Sequence, residues 1–159
     1  MQFRRSDYDV TNTVQVSSVA AVRRAVEELY TQTWPGVSTE RLAAAFADFD
    51  RLFNGQFPGY LGCDTVYHDV QHTLDDTLAM ARLLAGYERS HSPDQRLGAE
   101  RGLLGIVVAL FHDAGYIRQT DDTVHRNGAE FTRTHVGRSA QFLARYLPRM
   151  PGPIETTDG

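Results

Sequence analysis

The run Leu103-Leu104-Gly105-Ile106-Val107-Val108-Ala109-Leu110-Phe111 ends abruptly in His112-Asp113. A segment with no polar side chain over more than two helical turns offers no face to water, so it belongs at the centre of a helical core. The pair that terminates it is delivered into that core. An imidazole and a carboxylate buried there without partners carry a desolvation cost, and a divalent cation is one partner that satisfies both. The alternative without a metal is a His–Asp hydrogen bond that ties two helices together.

A second histidine–aspartate pair supplies context. In Tyr67-His68-Asp69-Val70-Gln71-His72-Thr73-Leu74-Asp75, two histidines stand four apart. On a helix their rings project from one face about one turn apart. One ring is then free to ligate a metal while the other reaches a substrate. Periodicity predicts helices over 17–33, 39–53 with Ser38 as N-cap, 66–89, 93–114 and 126–147. Ser92-Pro93-Asp94-Gln95 reads as a capping box that opens the fourth and central helix. In the fifth, Phe131, Val136, Ala140, Leu143 and Leu147 form the expected apolar stripe. No strand-like alternation of useful length occurs. The expected class is all-α, with an N-terminal extension (1–16), a helical domain (17–147) and a tail or truncated continuation (148–159).

Bulk properties narrow the function classes. The net charge of −4 argues against a polyanion binder, so no nucleic-acid partner is expected. No apolar stretch reaches the roughly 18 residues of a membrane span, and the N-terminus lacks a signal-peptide core. Cys63 is the single cysteine, which excludes an intrachain disulfide and a thiolate zinc cluster. A reducing, cytoplasmic setting is the expectation. All 16 basic residues are arginine. A GC-rich coding bias is the first reading of that composition. The alternative is bidentate phosphate contact, for which only the arginines near the histidines in sequence, Arg118, Arg126, Arg133 and Arg138, count. Gly102, Gly105 and Gly115 are too irregularly spaced for a phosphate loop.

Taken as a set, His72 followed by His112-Asp113, with Tyr67-His68-Asp69 ahead, resembles the HD-domain metal-dependent phosphohydrolase superfamily. The Tyr-His-x-x-x-His-x-x-Asp stretch is similar to that of its cyclic nucleotide phosphodiesterases. The resemblance covers about residues 60–147. It implies a helical HD-domain bundle, with His72, His112 and Asp113 as ligands of one or two divalent ions (Mn, Fe, Mg, Zn, Ni or Co). It also implies that Asp113 is able to bridge two ions and that His68 protonates the leaving alcohol. Asp75 matches an orienting carboxylate behind the ligands, and Asp69 stands where the phosphodiesterases usually carry asparagine. The family closes its site with a later aspartate, yet Asp121, Asp122 and Asp158 all fall at unsuitable places. The resemblance therefore implies either a chain that lacks its last helices or an incomplete site, to which a further histidine adds, His135 preferred over His125.

The expected activity is hydrolysis of a phosphoester, nucleotides being the substrate class by analogy. Arg118 and Arg126 are the expected substrate contacts. The rivals are a non-catalytic metal- or nucleotide-binding regulatory module and a di-iron oxygenase.

Overall fold

A computed structural model describes residues 6–152. Its elements are α1 (Val19–Thr33), α2 (Glu40–Phe53), α3 (Val70–Ser90), α4 (Gly98–Phe111) and α5 (His135–Tyr146), with short 3₁₀ turns between and after them. No strand occurs among the described residues, and none of their helices is long and apolar enough to cross a membrane. The expected all-α class holds.

The apolar spacing read from the sequence builds the core. Val22, Val26 and Tyr30 of α1 are buried one turn apart, as are Leu74, Leu78, Ala81 and Ala85 of α3. α4 is the central helix, packed on α2, α3 and α5. Its Leu103, Ile106, Val107, Leu110 and Phe111 are all at most 1% exposed. Phe49 and Phe142 meet Phe111 from α2 and α5, at ring separations of 6.4 and 5.2 Å.

Four expectations about element limits need correction. The second helix begins at Glu40, with Thr39 and not Ser38 in the capping position. α3 begins at Val70 and not near 66, because the Asp69 carboxylate accepts the His72 N–H at 2.9 Å and caps it there. His68 therefore stands in the loop ahead of the helix.

The stretch 93–114 is not one helix. Pro93–Gln95 forms a 3₁₀ turn, Arg96 is extended, and α4 starts at Gly98, whose φ of +79° suits glycine. A buried Glu88 accounts for the break. It accepts the Trp34 indole N–H at 3.1 Å and the Leu97 N–H at 2.5 Å, fastening the ends of α1 and α3 to the start of α4.

The span 126–147 is also divided, into a 3₁₀ turn at Gly128–Phe131 and α5. α5 buries Ser139, Phe142 and Tyr146, while Val136 is 70% exposed and Ala140 faces solvent. Residues 6–16 fold against α3: Val16 enters the core, and Arg82 donates to Asp9 at 2.8 Å. Of the expected tail, Leu147–Arg149 form a 3₁₀ turn and Met150 returns to the core. Residues 1–5 and 153–159 lie outside the described residues.

Candidate metal centre

α3 and α4 lie side by side, as the sequence requires if His72 is to meet the pair after Phe111. His112 ends α4 and Asp113 begins the 3₁₀ turn Ala114–Tyr116. That turn is held hard against α5. A Cβ on Gly115 would lie 2.0 Å from the His135 carbonyl oxygen, so only glycine admits the approach. Ser139 Oγ accepts the Gly115 N–H at 2.9 Å, and Arg138 donates to the carbonyls of Gly115 and Ile117 at 2.7 and 3.0 Å.

The result is a focus of imidazole and carboxylate atoms. Asp113 is 2% exposed. His72 Nε2 and His112 Nε2 each lie 3.4 Å from Asp113 Oδ2. Asp76, which sequence reasoning passed over in favour of Asp75, completes the group. Its Oδ2 is 3.3 Å from His72 Nε2 and 3.4 Å from His112 Nε2. These separations are longer than a good N–H···O hydrogen bond. They fall in the range of roughly 3–3.5 Å spanned by neighbouring ligands of one ion bound at about 2.0–2.2 Å.

The proton inventory of His112 tests whether a cation fits. Its Nδ1 lies 2.7 Å from the Ala109 carbonyl, which only accepts, so Nδ1 carries hydrogen. In the neutral ring Nε2 is then a lone pair, and it faces two carboxylate oxygens. That contact is attractive when a cation stands between them or when the ring is protonated. With neutral rings, Asp76 and Asp113 bring two negative charges to one place, which a divalent ion neutralises. Nitrogen and oxygen donors of this kind suit first-row divalent metals. The residues present fit such an ion.

Two further rings border Asp113. His68 stands on the same oxygen that faces His72 and His112, and His68, His72 and Asp113 form a second candidate ligand group. His135 stands on the other oxygen. His68 Nδ1 lies 2.8 Å from Asp113 Oδ2. His135 donates Nδ1–H to the Thr132 carbonyl at 2.8 Å, and its Nε2 is 4.0 Å from Asp113 Oδ1. Tyr116 is stacked between these two imidazoles, at centroid distances of 4.3 and 4.4 Å and interplanar angles of 19° and 18°. It fixes both ring planes, a role sequence reasoning did not assign.

The remaining expectations sort by position. Asp69 acts on His72 through the backbone, as its cap. Asp75 is exposed on α3, next to the Asp76 that reaches the histidines. Arg118 donates to the His125 carbonyl at 3.0 Å and to Asp64 at 3.1 Å, so it braces the loop. Arg126 is exposed, and its backbone N–H is taken by Glu130. His125 pairs with Asp122 at 2.9 Å, outside the cluster. Asp122 accepts the backbone N–H groups of His125 and Val124, which hold its carboxyl at about 2.

The signal that would have found Asp76 is helical spacing: it follows His72 by one turn. Comparison of the chain with models of known families, with curated proteins and with solved structures finds no match.

Proposed function

We propose that this chain is a metal-dependent phosphohydrolase of the HD-domain kind its sequence resembles, acting on a small phosphorylated substrate of the nucleotide class in a cytoplasmic setting. The observation that carries the reading is the convergence of His72, Asp76, His112 and Asp113 at 3.3–3.4 Å, with the His112 lone pair turned onto two carboxylates. A divalent ion held there supplies an activated water and a positive charge for a phosphoryl oxygen.

The chain's own residues do the rest. Asp69 sets the start of α3 and so the height of His72. The Ala109 carbonyl fixes the His112 ring, as backbone acceptors behind ligand histidines commonly do. Asp113 accepts the Nδ1–H of His68, which leaves His68 Nε2 to hold the proton that a departing oxygen takes up. Tyr116 keeps that ring in plane.

One observation favours a second reading, a metal-binding regulatory module without turnover. Arg118, one of the two expected phosphate contacts, spends its donors on Asp64 and the His125 carbonyl. Elemental analysis paired with hydrolysis assays on nucleoside monophosphates, cyclic nucleotides and aryl phosphates separates the readings. The phosphohydrolase reading expects turnover that a chelator abolishes and added metal restores. Metal without turnover on any of these esters overturns it in favour of the regulatory module.

A further inference from the structure

We infer that the cleft between α5 and residues 57–60 is a second ligand site, built for a planar aromatic ring that carries a carboxylate or phosphonate group. Two adjoining hollows share Tyr60, Phe142 and Arg145 as a common wall. The first, of about 230 Å³, is bounded by Phe57, Tyr60, Phe142 and Tyr146 and edged by Arg145 and Arg149. The second, of about 120 Å³, is polar and is lined by Gln119, Arg138, Gln141 and Arg145. Together they hold a fused ring and one anionic group, at the small end of the roughly 300–1,000 Å³ typical of ligand pockets.

The aromatic walls that reach solvent are Phe57 and Tyr60, half-buried and edge-on to one another at 5.9 Å, above a floor of Phe142 and Tyr146, which are 5% and 8% exposed. The Tyr146 hydroxyl donates to Asp48 at 2.8 Å, so its polar group is already satisfied and the cleft meets only the ring. Asp48 also pairs with Arg51.

Arg145 and Arg149 are exposed and have no acidic partner among the described residues, on a chain of net charge −4. Two guanidinium groups at the edge of an aromatic hollow select an oxyanion on a ring. None of the metal-cluster residues lines either hollow, so this site stands or falls independently of the phosphohydrolase reading.

The test is a titration of the isotopically labelled full chain with 1-naphthoate and with 1-naphthylphosphonate, neither of which has an ester to hydrolyse, followed by amide NMR. The neutral 1-naphthylmethanol serves as control. Saturable shifts at Tyr60, Phe142 and Arg145 are expected, with millimolar or tighter affinity. The better probe of the two identifies the preferred oxyanion. Arg145→Gln with Arg149→Gln should weaken binding about tenfold, by loss of the charge-assisted contacts, and leave metal content unchanged. Four results would overturn the proposal: no saturation by about 10 mM, equal binding of the neutral control, affinity indifferent to the arginine substitutions, or shifts confined to His72 and His112.

Discussion

Asp76 follows His72 by one turn of α3 and sets its Oδ2 3.3 Å from His72 Nε2 and 3.4 Å from His112 Nε2. It therefore contacts both histidines from a single helix face, although it is the second of two adjacent aspartates. Asp76→Ala should weaken divalent-metal affinity by more than about 100-fold, beyond the 10–100-fold typical of groups that only orient a ligand. Asp75→Ala should change it little. Competition titration with a chelating dye measures both. The reverse order would remove Asp76 from the centre.

His68 should matter for turnover and not for metal retention. Its Nδ1 is committed to Asp113, and its Nε2 is left for substrate. His68→Ala should slow hydrolysis of an ester with a poor leaving group by roughly 10²–10⁴-fold. The loss should shrink on an activated aryl phosphate, whose oxygen departs without help. Equal losses on both substrates would make His68 a positioning group, and loss of metal would make it a ligand.

Gly115→Ala probes how the fold supports the site. The new Cβ would overlap the His135 carbonyl, at 2.0 Å, and press on the Ser139 N–H. The Ala114–Tyr116 turn and α5 must then part, which should cost about 1–3 kcal/mol in urea unfolding. Metal affinity should fall as well, because Asp113 begins that turn. A variant as stable as the wild type would contradict the close packing of turn on helix.

Asp9 gives the fold an acid-sensitive anchor. Burial acts to raise its pKa, but hydrogen bonds from the Thr11 hydroxyl, the Val14 N–H, Arg82 and the Thr13 N–H outweigh that and hold the carboxyl well below the usual range. The folded chain thus binds fewer protons here than the unfolded one, whose aspartates titrate near about 3.9. Asp9 contributes its full stability above that value and loses it as the pH falls towards the lowered folded pKa. Unfolding of Asp9→Asn and wild type across pH should show a gap that is widest near neutrality and closes in acid. A gap independent of pH would mean that Asp9 acts only through its shape.

Much of the fold was legible because it rests on apolar spacing. α1, α2 and the central position of α4 follow from residues such as Val22, Phe46 and Ile106, which repeat at helical intervals and are buried. What escaped was set by polar contacts between distant segments. Glu88 captures the Leu97 N–H and breaks the fourth helix. Ser139 is buried because the Gly115 N–H needs an acceptor, which turns α5 away from the face that Val136 and Ala140 suggested. At the site, His72, His112 and Asp113 were readable as a set. Asp76 was hidden by the family pattern, which points to Asp75 and to a later carboxylate.

The most direct test of the metal centre is elemental analysis of the purified chain, before and after equilibration with Mn, Fe, Mg, Zn, Ni or Co, beside His72→Ala and His112→Ala. One or two divalent ions per wild-type chain are expected, with loss in both variants while their helical circular dichroism is retained. A wild-type chain that carries no ion and gains none on titration would contradict the account and leave His72, Asp76, His112 and Asp113 as a protonated histidine–carboxylate network joining α3 to the end of α4.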